Sequence, residues 1–193
     1  MNEREREPSP ASTALDAAAR KAARGDRAAF TAIVAATTQR LHRLAARITG
    51  DPGEAEDALQ DGYLRAFDAL VAGRFDGRAG VETWLYRIVA NASLDALRAR
   101  KRRRARLGDG GEEADAASPM HSPEQLAARA SLRELDTWLA ELPPDQRTAI
   151  VLKEIEGLSS NEVAAVMNSS VGAVEQRLVR ARAALRKRSG EGE

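Results

Sequence analysis

Trp84, Arg87, Asn91, Asp95 and Arg98 recur at three- and four-residue steps, which sets an indole, an amide and guanidinium groups along one strip of a helix. An indole stacks on an unpaired base, an amide hydrogen-bonds a base edge and an arginine pairs with phosphate, so the strip carries the chemistry of a nucleic-acid contact. Arg98, Arg100, Lys101, Arg102, Arg103, Arg104 and Arg106 follow with no acid among them and supply sequence-independent attraction to a phosphate backbone. Taken alone, Trp84 reads as core as readily as surface, and a basic run as a solvated face. Their coincidence on one amphipathic helix favours the nucleic-acid reading.

The strip needs a helix held on two sides. Across Val81 to Arg106, Leu85, Ile88, Val89, Ala92 and Ala96 fall on one side, and Tyr86, Ala90, Leu94 and Leu97 nearly opposite. Upstream, residues 1–14 are expected to form a disordered tail, being polar, charged and broken by Pro8 and Pro10. A helix over Leu15 to Ala23 stops at Gly25, and Asp26 caps a longer one with Phe30, Ile33, Val34, Leu41, Leu44, Ala45 and Ile48 inward. Gly50 ends it. Asp51-Pro52-Gly53-Glu54 starts the next, with a capping acid, a first-turn proline and a carboxylate suited to a helix N-terminus. That helix buries Ala55, Leu59, Ala66, Phe67 and Leu70, and leaves Asp57, Gln60, Asp61 and Arg65 as a mainly acidic ridge that spacing alone reads as a solvated face. Gly62 in its middle is expected to weaken it by roughly 1 kcal/mol relative to alanine.

Residues 107–121 lose periodicity and turn to Gly, Asp, Glu, Ala, Ser and Pro, the composition of a flexible linker. A second unit, residues 122–188, opens with the cap Ser122-Pro123-Glu124-Gln125, carries Leu126, Leu135, Trp138, Leu139 and Leu142, and breaks at Pro143-Pro144. A short helix with Ile150 and Val151 ends at Gly157. Ser159 with Glu162 then forms a capping box, and Leu158 with Val163 a hydrophobic staple. Asn168 suits a left-handed turn and Ser170 a cap, which together make a helix-turn-helix. In its second helix Val174, Leu178, Ala181 and Leu185 point inward, so Gly172, Gln176, Val179, Arg180, Ala183 and Lys187 face out, with Glu175 at the border. Small residues near the helix start, polar groups beyond and bases towards the end suit a major groove.

The fold class is therefore all-α: two small helical domains, 15–106 and 122–188, joined by a flexible linker and ending in a short tail over 189–193. A net charge of +1 hides acids clustered near Asp51 to Asp61 and bases near Arg98 to Arg106 and Arg177 to Arg188. With no cysteine and only His42 and His121, disulfides and thiolate metal sites are excluded, and neither a metal, a cofactor nor a catalytic residue is expected. No apolar run suggests a signal peptide or a membrane span, so a cytoplasmic location is expected.

In order, DALQDGYLRAFDAL, TWLYRIVANASLDALR with its basic tail, LPPDQRTAIVLKEIEGLS and NEVAAVMNSSVGAVEQRLVRARAALR resemble the bacterial extracytoplasmic-function sigma factors, two-domain specificity subunits of RNA polymerase. The resemblance runs from about Asp16 to Arg188. It implies no enzymatic activity, binding to core polymerase, recognition of promoter DNA through both domains and help in opening it. It places Asp57, Gln60 and Asp61, with Arg65 on the same ridge, against the beta-prime clamp helices. Phe75 and the loop to Gly80 would take up a flipped base of the -10 element, with Trp84, Arg87 and Asn91 separating or holding strands and Arg98, Lys101 and Arg102 on the backbone. Gly172, Glu175, Gln176, Val179, Arg180 and Lys187 would lie at the -35 element. Many relatives carry a basic residue where this chain has Glu175, and an acid there could accept from a cytosine amino group instead. An anti-sigma factor is a further expected partner. Two alternatives are a sigma-like decoy that only binds an anti-sigma factor, and a conventional helix-turn-helix regulator, which would leave the N-terminal helices without a role.

Overall fold

A set of local caps fixes where the helices begin and end. The computed structural model describes residues 10–77, 80–107 and 134–189, and among them every regular element is helical. Helix α1 (Pro10–Ala22) leads to a turn at Gly25, after which Asp26 accepts from the Ala29 N–H at 3.0 Å to open α2 (Arg27–Thr49). Gly50 closes α2 in the left-handed region at φ 69°, and Asp51 accepts from the Glu54 N–H at 2.9 Å to start α3 (Pro52–Val71). Helix α4 (Val81–Leu107) is capped from a distance: the Val81 N–H donates to Asp16 of α1 at 2.7 Å.

Helix α1 begins inside the stretch expected to be a disordered tail. Pro10 suits a first helical position, where no N–H is needed, and the alanine-rich segment behind it buries Ala19 and Ala22 against the other helices. Helices α2, α3 and α4 pack on one another around Ile33, Leu41, Leu44, Ile48, Leu70, Leu85, Val89 and Leu94. Both expected sides of α4 are largely taken up: Leu85, Val89 and Ala92 on one, Tyr86, Ala90, Leu94 and Leu97 on the other, are buried, while Ile88 and Ala96 of the first side are only half-buried. Gly62 is a contact rather than a weak point. A Cβ there would stand 2.8 Å from Val89 Cγ2 and 3.3 Å from Val89 Cα, so the missing side chain lets α3 lie directly on α4. Phe67, expected inward, is only partly buried, because its ring lies towards the outer edge of the α2–α3 seam beside Phe30, at a centroid distance of 5.0 Å.

The second unit comprises α5 (residues 134–141), α6 (Pro144–Ile150), a π turn (Val151–Ile155), α7 (Ser160–Met167) and α8 (Val171–Ser189). Its turn chemistry is as the sequence predicts. Ser159 and Glu162 form a reciprocal capping box, Asn168 adopts φ 48°, and Ser170 Oγ accepts from the Ala173 N–H at 3.2 Å. Val174, Leu178 and Ala181 of α8 are fully buried, while Trp138 sits half-buried rather than inward. The expected linker beyond Leu107 and the expected cap at Ser122 lie outside the described residues.

The two units touch. Helix α6 and the π turn pack on α2, α7 packs on α4, and buried residues of both units join one apolar cluster. Ion pairs cross the seam from Arg47 to Asp136 at 3.3 Å and from Arg87 to Glu162 at 3.2 Å.

Candidate nucleic-acid interface

The predicted strip does surface along α4. Trp84, Arg87 and Asn91 are each partly exposed, and Asp95 and Arg98 are exposed and paired with each other at 3.4 Å. Phe75, from the loop that precedes α4, lies against Trp84 with ring centroids 4.9 Å apart and planes tilted by 49°. Two residues nine positions apart thus form one aromatic platform, of the kind on which an unpaired base stacks. Asp16 fixes where it stands, since its bond to Val81 N–H holds the start of α4, one turn before Trp84. Sequence reasoning missed this carboxylate because its partner lies 65 residues away.

The basic tail is only partly free. Glu54 of α3 holds Arg100 at 3.1 Å and Arg103 at 3.6 Å, which pins the outgoing end of α4 to the start of α3. Arg102 is exposed, and Lys101 is helical.

On α3 the acidic ridge stands as expected, with Asp57 and Gln60 exposed and Asp61 about half so. Arg65 is bound up in it, 2.6 Å from Asp61 and 3.1 Å from Asp95 of α4. These bonds, first that to Asp95, raise the guanidinium pKa above its ordinary value against the opposing effect of burial. Beside the ridge, Phe30, Val34, Tyr63, Leu64 and Phe67 line an apolar groove between α2 and α3, with Leu64 63% exposed. The groove was readable in part, since Leu64 is an aliphatic residue among the polar positions of α3.

Helix α8 shows its outer face to solvent. Gly172, Glu175, Gln176, Val179, Arg180 and Lys187 are all exposed, and Val179 at 60% is one of the most exposed large apolar residues described. Glu175 accepts from Ser160, the first residue of α7, at 2.5 Å, so its carboxylate is tied back to that helix rather than pointing freely outward. Arg177 braces the turn between α7 and α8 through Ser169 Oγ at 2.7 Å.

An aromatic platform and basic tail on one unit, with an exposed helix-turn-helix on the other, match patterns known from other proteins. Sigma-70 region 2 matches residues 33–103 and Sigma-70 region 4 matches residues 132–185. The RNA polymerase sigma-H factor of Pseudomonas aeruginosa is 36% identical over 171 residues, covering 85% of this chain and 88% of that one. The chain belongs to the sigma-70 family, in its extracytoplasmic-function group. The ECF RNA polymerase sigma-E factor of Escherichia coli is 34% identical over 169 residues, 84% of this chain and 87% of that one. Among solved structures, CnrH in complex with the cytosolic domain of CnrY superposes with a TM-score of 0.62 at 30% identity, covering 93% of this chain and 99% of that one. The sigma factor RpoE of Bartonella quintana, in complex with the anti-sigma factor NepR, shares the fold with a TM-score of 0.66 at 24% identity, over 85% and 98% of the two chains. A sigma factor binds core RNA polymerase and directs it to promoters, and this chain is one.

Proposed function

We propose that residues 15–106 work as the unit that docks on polymerase and opens the -10 element, and residues 122–188 as the reader of the -35 element. The observation that carries this division is the pairing of Phe75, from the loop before α4, with Trp84 of α4, flanked by Arg87 and Asn91 and followed by the basic tail. Unstacking a base costs a few kcal/mol, which aromatic stacking and phosphate contacts offset. Arg98, Lys101 and Arg102 hold the backbone, and Gly172, Gln176, Val179, Arg180 and Lys187 enter the major groove. Glu175, tied to Ser160, links α8 to the start of α7 and contributes less to base readout than its position alone suggests.

Asp57, Gln60, Asp61 and Arg65 form the polymerase-docking ridge, and the neighbouring groove at Leu64 supplies apolar burial for the same contact. The chain acts in the cytoplasm as a non-catalytic subunit. No described helix is long and apolar enough to cross a membrane. An anti-sigma factor is its regulator, by analogy with CnrH held by CnrY and with RpoE held by NepR.

Asp61→Arg tests the docking ridge. Affinity for core polymerase should fall at least tenfold, while the fold loses at most about 1 kcal/mol, as expected for an exposed ion pair with Arg65. Unchanged affinity in a binding titration would remove α3 from the docking surface.

A further inference from the structure

We propose that the chain carries an internal latch, in which the helix-turn-helix unit parks on the strand-opening strip and must leave it before the strip engages DNA. The proposal rests on the roles given to the strip above and adds a form of regulation they do not contain. Its centre is Glu162. The carboxylate completes the capping box of α7, accepting from the Ser159 N–H at 3.0 Å, and also receives Arg87 of α4 at 3.2 Å. The bond from Ser159, chiefly, and then the one from Arg87 hold the Glu162 carboxyl below its ordinary pKa, so it is a standing negative charge. Arg87, placed to meet a phosphate, is therefore already neutralised by the chain's own acid.

A second tie, Arg47 to Asp136, joins α2 to α5 on another part of the seam. Both pairs are partly solvated, with side chains 37% and 39% exposed at Arg87 and Glu162, so each is a weak and reversible hold. One feature at the seam opposes closure. Arg147 is 4% exposed, and its Nε has no hydrogen-bond partner among the described residues. Its guanidinium presses on Gly50 of the other unit, where a Cβ would stand 2.2 Å from Nη1. A buried, unpaired cation is costly, which leaves the closed form shallow. Two modest ties set against one buried charge make an equilibrium that a competing phosphate, itself an acceptor for Arg87, can tip.

The test uses the full chain, which has no native cysteine, carrying spin labels at Ala36→Cys in α2 and Ala184→Cys in α8, both exposed positions. The variant is Glu162→Gln with Asp136→Asn. Glutamine keeps the capping box and removes the charge. Pulsed dipolar spectroscopy should show one short inter-unit distance in the unmutated background at low salt, and a longer population enriched roughly two- to thirtyfold in the variant, the product of two exposed pairs. A fluorescent single-stranded oligodeoxynucleotide should bind the variant more tightly by a similar factor, and high salt should lengthen the distance in the unmutated background. Glu56→Gln with Asp68→Asn removes equal charge from exposed positions on α3 and should change neither readout. An identical distance distribution in variant and parent overturns the latch, as does equal tightening by the control pair. If the variant opens and binds the oligonucleotide while the chain never supports transcripts with core polymerase, the latch stands and the promoter-opening role fails.

Discussion

Glu156 follows the π turn, in the field of Arg40, Arg43 and Arg47 of α2, yet burial outweighs the three cations and pushes its carboxyl up to about 6. A raised acid pKa means that the folded chain prefers the protonated form. The resulting stability is fully present below the unfolded value near 4.5 and is lost as pH rises through about 6. Urea melts should therefore show a gain of at most about 2 kcal/mol between pH 7.5 and pH 5. Glu156→Gln should abolish that slope and match the low-pH stability at pH 7.5, and a slope that survives the substitution would assign it to another group. Glu162 does not mask the effect. Its carboxyl is held low, so the stability it lends is present above the ordinary carboxylate range and is lost only as pH falls below about 4.5.

Helices are where reading a sequence works best and where its limit shows. Asp26, Asp51, the Ser159–Glu162 box and Asn168 were legible because each satisfies groups within four residues of itself. The two buried sides of α4 were legible from period alone. The Asp16 bond to Val81 was not, since nothing local in α1 signals a donor in α4. Gly62 was legible as an oddity but given the wrong sign, because propensity describes an isolated helix and says nothing of Val89 across the seam. The two accounts of that glycine predict opposite results. Gly62→Ala should gain about 1 kcal/mol from propensity but lose roughly 1–3 kcal/mol to overpacking against Val89, for a net destabilisation in thermal melts. A rise in Tm would show that α3 and α4 separate easily.

For the molecule as a whole, sequence pattern located the two helical units and the faces each presents, but not how they lie together. The seam is built from residues with ordinary local roles: Glu162 as a cap, Arg87 as part of a basic strip, Arg147 in a short helix. Only the tertiary arrangement gives them a second role. The outer face of α8 stays exposed in this closed form while Arg87 of the strip on α4 is paired with Glu162. The decisive measurement is permanganate reactivity of unpaired thymines on a promoter of a gene whose transcript rises when the chain is expressed, in complexes of core polymerase with the wild-type chain or with Trp84→Ala. Wild type should expose thymines in the -10 element, and Trp84→Ala should reduce that signal roughly fivefold or more through loss of about 1–3 kcal/mol of stacking, with protection of the -35 element retained. Equal thymine reactivity in the two complexes would contradict the role given to the α4 platform.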